Sequence, residues 1–314
     1  MARALPPAVL LLLLSACGGG GEEADPAAET RVPPALSERF HPPEGWAWGL
    51  VRTGSAPAQR YGVAAPPRVP RAAVVVVPSH GEPAEVWFET AADLIDQGFT
   101  VWALDRSTAG FAPDAANLRA LAGRVIRPPP ETPLVILAHA DGAVPALRAL
   151  QAGLKADAAI LVSPDLAERE PTPAAGWLAR LPTPRKAWSR DLPDDRALGL
   201  TSDPWRGAVR MAWQTANPDL RATEPDLAWR EAHRAASRNV EAEAGNLRTP
   251  LLMLNPDAAS AALCARLPDC GTRTIPEAGA ALHLETDRRR NLLLAEIRSV
   301  ALAASVARGG APSD

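Results

Sequence analysis

The chain has 314 residues, a formal net charge of −3 and a hydrophobic fraction of 47%. That is enough apolar material for a sizeable core, and the near-neutral balance excludes the basic footprint of a nucleic-acid-binding domain. Three cysteines, none of them beside other cysteine or histidine ligands, offer no zinc-type spacing, so neither a metal nor another cofactor is expected.

In chain order, the first segment reads as a leader rather than as part of a fold. Residues 1–16 carry one basic residue, Arg3, and an apolar run from Ala8 to Leu14. This run is far shorter than the ~20 residues that span a membrane. It ends in Leu14-Ser15-Ala16-Cys17, which resembles a bacterial lipobox. That resemblance implies cleavage before Cys17 and its lipidation, which would anchor the protein stably to a membrane. Residues 17–44 then form a tether, loose where it reads GGGGEEADPAAET. Gly18, rather than an aspartate, follows Cys17, and by the same resemblance this favours the outer over the inner membrane of an exported, cell-envelope lipoprotein.

Residues 45–52 and 59–63 read as a leading antiparallel pair of strands. AVVVV at 73–77 is a continuous apolar run, as in a strand buried on both faces. A helix with Phe88, Ala91, Leu94 and Ile95 on one side is expected over 86–96. Strand 99–104 follows, then a helix over 117–126, strand 134–137, a helix carrying Val144, Leu147 and Leu150, and strand 158–162. Strands alternating with helices imply parallel βαβ units. The alternation breaks over 165–248, a Trp-, Arg- and Pro-rich stretch with helical pieces near 174–181, 206–216 and 226–242. Five tryptophans lie there (177, 188, 205, 213 and 229), lining an apolar cleft or packing a small cap. Strand 251–254, helix 258–267, strand 272–275 and a final helix complete the chain. Leu293, Ile297, Val300 and Ala304 keep one face of that helix apolar, and residues 288–290 read as its solvated start. The expected class is therefore α/β: a mostly parallel sheet with flanking helices, its core in 45–164 and 249–308, interrupted by a helical cap at 165–248. In an exported protein, Cys264 and Cys270 are candidates for a disulfide, a reduced buried pair being the alternative.

PLVILAHADGAVPALRAL at 133–150 is a strand, a sharp turn and a helix, the setting in which α/β-hydrolases hold a nucleophile within G-x-S-x-G. Together with VVVVPSHGEPAEVWFETAADLIDQGFTVWALDR, AAILVSPDL and TPLLMLNP, it resembles the α/β-hydrolases of the lysophospholipase L2 and monoacylglycerol lipase group, which overlaps the serine aminopeptidase S33 families. The resemblance spans roughly 45–305 and is less clear in the cap. It implies a carboxylic ester hydrolase built on serine, histidine, an acid and amide donors for the oxyanion.

The parts match unevenly. The family's elbow, G-H-S-x-G-G, is Ala138-His139-Ala140-Asp141-Gly142-Ala143 here, so the serine position is Ala140. Counting back from Glu285 and Asp287 in IPEAGAALHLETD places the histidine position at Ala280. His283 stands three residues later, where it would pack or cap. For the acid, Asp257 is the candidate, although it serves equally as a helix N-cap. His80-Gly81 matches the oxyanion-side loop, where backbone amides do the work. Asp141 would put a negative charge beside the oxyanion, against the chemistry. Ser79 and Ser107 are loop hydroxyls with no assigned base, and Ser163 sits at a strand end where, by the same resemblance, the family often has serine too. Loss of the serine or histidine alone costs roughly a million-fold in turnover in a serine protease. The expectation is therefore a membrane-anchored pseudoenzyme that binds a lipid, an acyl chain or a protein. The alternative is an active hydrolase of acylglycerols or lysophospholipids using Asp141, His283 and Asp257.

Overall fold

A computed structural model describes residues 29–54, 56–106, 110–166, 196–222 and 225–309. The leader, Cys17, Ser107, the expected helix 174–181, Trp177 and Trp188 lie outside these.

Within the described residues the strands form one eight-stranded sheet in the order β1-β2-β4-β3-β5-β6-β7-β8. β1 (Ala47–Val51) and β2 (Gln59–Ala64) are antiparallel, and β2 is antiparallel to β4 (Phe99–Leu104). From there β3 (Ala72–Val77), β5 (Leu134–His139), β6 (Ala158–Val162), β7 (Leu251–Leu254) and β8 (Cys270–Arg273) run parallel. β3, β5 and β6 are buried along their whole length, which is why their sequences are uninterrupted apolar runs rather than alternating ones.

Helices cover both faces. One core layer joins Val75, Ile136 and Leu161 to α2 (Phe111–Ala120) and α3 (Ala143–Gln151); the other joins Val74, Leu137 and Ile160 to α1 (Phe88–Asp96) and the last helix. α2 begins six residues before its expected start and gives way to a π-helical turn at Leu121–Ile126. Its inner face carries the buried polar residues Asp114 and Asn117, which conceal its apolar periodicity. β8 begins two residues early because it is an exposed edge strand without an alternating pattern. It is tied there by a Cys264–Cys270 disulfide to the end of the preceding helix.

In the cap, the expected helix over 206–216 is broken. A single turn, Pro204–Gly207, capped by Asp203, precedes α4 (Val209–Ala216). α5 (Leu227–Ala242) follows, capped by Asp226. The tryptophans do not act as a set: Trp213 is fully buried against Phe88, whereas Trp205 is 78% exposed. α6 (Ala258–Cys264) and α7 (Asp287–Ala307) return to the core. The start of α7 is not simply solvated. Arg290 is buried and paired with Asp93 and Glu89. Among the described residues, no helix is long and apolar enough to cross a membrane.

Candidate functional site

The C-terminal ends of the parallel strands converge on the elbow after β5. Ala140 has φ 48°, a left-handed conformation that a non-glycine residue adopts at a cost. The chain then turns through Ala140–Gly142 into α3. Gly142 is required sterically: a Cβ there would lie 2.5 Å from the carbonyl oxygens of both Val77 and Pro78. The tight approach of the elbow to the end of β3 is thus kept, while the side chain presented at its tip is a methyl group.

Asp141, one residue on, is buried. Its Oδ1 accepts from the Ser79 hydroxyl at 2.7 Å and the His80 backbone N–H at 3.0 Å. Its Oδ2 pairs with Arg106 Nη1 at 2.9 Å, and Arg106 Nε pairs with Asp114 at 2.5 Å. Burial opposes the charge on Asp141, but Arg106 and the hydrogen bonds from Ser79 and His80 outweigh it and hold its pKa below the usual carboxylate value. The carboxylate is therefore ionised and occupied on both oxygens. Two of the loop amides are also spoken for: that of His80 points at Asp141, and that of Glu82 donates to the Ser79 carbonyl at 3.1 Å.

Behind the elbow lies a buried cluster of Glu82, His139 and His283. His139 Nδ1 donates to Glu82 Oε2 at 2.8 Å, and its Nε2 faces the Ala280 carbonyl at 3.3 Å. Both ring nitrogens thus face acceptors, which only an imidazolium satisfies. Burial disfavours that charge, yet the Glu82 carboxylate outweighs it and raises the pKa of His139. His283 Nε2 donates to Glu82 Oε1 at 2.7 Å. Its Nδ1 has no partner among the described residues, and its ring stacks on Trp87 at 3.8 Å. Burial lowers the pKa of His283, with His139 and Arg290 acting in the same sense, so the ring is neutral. Burial would raise the pKa of Glu82, but its two histidine partners hold it well below the usual range. The three residues bring metal-ligand atoms within 4.8 Å of one another. A divalent cation would have to displace the two ring protons that now link them.

The residues proposed for a substitute constellation are not brought together. His283 and Asp141 share no hydrogen bond or ion pair: the first is committed to Glu82 and Trp87, the second to Ser79, His80 and Arg106. Asp257 accepts from the Ser260 amide at 2.7 Å as the N-cap of α6. Ala280, at the histidine position, offers the site only a carbonyl. Ser163, at the end of β6, has a buried hydroxyl without a partner among the described residues. Three residues escaped the sequence reading: Glu82, Arg106 as the clamp on Asp141, and Trp87. Glu82 directly follows His80-Gly81, and that adjacency to the oxyanion-side loop was the available signal.

A parallel sheet with an antiparallel leading edge, an elbow after its central strand and a cap before β7 define an α/β-hydrolase. A family model for serine aminopeptidase, S33, matches residues 68–261, and the chain belongs to that family. Similar solved structures include a soluble variant of monoglyceride lipase from Saccharomyces cerevisiae in complex with a substrate analog. It shares 16% identity and a TM-score of 0.65, over 87% of this chain and 99% of that one. The monoacylglycerol lipase of Paleococcus ferrophilus shares 18% identity and a TM-score of 0.59, over 77% and 98%. A carboxyl esterase from Bacillus coagulans in complex with glycerol shares 16% and 0.60, over 81% and 99%. No curated protein matches the chain.

Proposed function

We propose that this protein is a non-hydrolytic member of its family, tethered to the cell envelope through Cys17, preferentially at the outer membrane, and that it binds a lipid-like ligand between cap and elbow. The observation that carries the reading is the replacement of both coupled groups by methyls, at Ala140 and Ala280, around an elbow whose strained turn is retained. A nucleophile and its base must meet within hydrogen-bonding distance. Neither side chain can do so here. The internal use of the His80 and Glu82 amides supports the same reading, because oxyanion stabilisation requires free donors. A ligand rather than a protein partner is favoured by the names of the similar structures, which include lipases and a substrate-analog complex.

The test is to incubate the purified protein with a monoacylglycerol and a lysophospholipid, separate bound from free lipid, and analyse the bound fraction. Recovery of intact lipid in saturable amounts is expected. Release of fatty acid, abolished by Asp141→Asn, would establish the substitute hydrolase instead.

A further inference from the structure

A cavity lies at the opposite end of the sheet from the elbow. Its volume is about 570 Å³, within the few hundred to about 1,000 Å³ usual for small-molecule sites. It is bounded by Leu134 at the start of β5, the loop before β6, the end of α2, the π-helical turn and the end of α7. Four cations line it, Arg119, Arg124, Lys155 and Arg308, with no carboxylate among the lining residues. Arg308 is held by Asp157 and by the carbonyls of Pro130 and Thr132. Arg119, Arg124 and Lys155 make no ion pair among the described residues and are exposed. Ala120, Leu134 and Leu154 provide a buried apolar floor.

A chain of net charge −3 therefore gathers an excess of positive charge around one concave, apolar-floored space. Cations do favour helix C-termini, and Arg119, Arg124 and Arg308 stand at such ends. Lys155 does not: it lies four residues beyond α3, in the loop before β6. The wall between the cations is a π-helical turn, a rare element found frequently at functional sites. We infer that this cavity binds a phosphate ester, its phosphate held by Arg119, Arg124 and Lys155 and its apolar portion on the floor. Guanidinium forks match phosphate oxygens bidentately, and lysine adds a mobile point charge.

The test is equilibrium binding of two probes to the full chain: dihexanoyl phosphatidylglycerol below its micellar concentration, and inorganic phosphate. Saturable binding of the lipid is expected, weakened about tenfold or more in R124Q/K155Q, which loses two charge-assisted contacts. R266Q/R298Q, which removes the same charge from exposed sites outside the cavity, should leave affinity within about twofold. Phosphate binding with the same variant sensitivity would place the ligand's source in solution; lipid binding alone would place it in a membrane headgroup. Absence of saturable binding by both probes, or equal weakening by both variants, would overturn the proposal. Unchanged thermal unfolding of R124Q/K155Q separates lost binding from lost fold.

Discussion

At the elbow a strained backbone turn presents only a methyl group. Ala140 adopts φ 48°, a conformation costing an alanine about 1–2 kcal/mol. Ala140→Gly is therefore expected to stabilise the protein by up to about 1 kcal/mol, a small rise in Tm in thermal unfolding. Gly142→Ala should do the reverse, by about 1–3 kcal/mol, because its Cβ meets backbone oxygens that cannot swing away. The elbow was legible in sequence because small residues on either side of a strand end are a strong steric signature. The fate of Asp141 was not. Its clamp, Arg106, lies 35 residues away, and only the sheet brings them together. The same clamp predicts that reinstating Ala140→Ser and Ala280→His leaves the site impaired while Asp141 holds the His80 amide. A triple variant that adds Asp141→Gly should turn over a short-chain ester faster than the double variant.

The elements around the site are locked by buried charge rather than by apolar contact alone. Glu82 joins the loop after β3 to His139 at the end of β5 and to His283 before α7. Its depressed pKa means that its contribution is present above the ordinary value of 4.5 and is lost as pH falls through the lower folded value. The raised pKa of His139 contributes below 6.5 and fades as pH rises through the folded value. His283, buried neutral, subtracts stability below 6.5. These opposed histidine effects leave Glu82 as the clear acid-side signal. Thermal unfolding should show Tm dropping below about pH 4.5, with a smaller drop in Glu82→Gln. At neutral pH, that variant leaves the His139 charge poorly compensated and should cost about 3–5 kcal/mol. An unchanged acid limb in Glu82→Gln would mean the cluster does not set it. A second lock holds the cap. Glu285 accepts from the amides of Ser202 and Gly279 and from the Ser202 hydroxyl, while Arg206 bridges to Glu89 and the Glu285 carbonyl. Strands β3 to β7 could be read from sequence because complete or nearly complete burial writes itself as apolar runs. α2 could not, because polar residues serve as its inner face, nor could the break at Gly207, where Asp203 and Pro204 start a separate turn.

For the whole molecule, the family fold is preserved while the two ends of the sheet have different characters. At the elbow end the polar groups are paired internally: every carboxylate oxygen of Asp141 and Glu82 is used within the protein. The opposite end is open and basic. Mutations that weaken folding should therefore cluster around the elbow, and charge changes at the far cavity should be tolerated by stability. The resemblance to lipases, read from strand, elbow and loop motifs, correctly indicated the architecture because those motifs are backbone devices. The cap was less legible, because there composition says little about geometry.

The central claim is that this elbow no longer performs chemistry. Its most direct test is the steady-state hydrolysis of a short-chain ester by the purified wild-type protein, measured beside its Asp141→Asn and Ser79→Ala variants. The account predicts no turnover above the buffer rate in any of the three. Wild-type turnover that is lost in either variant would contradict it.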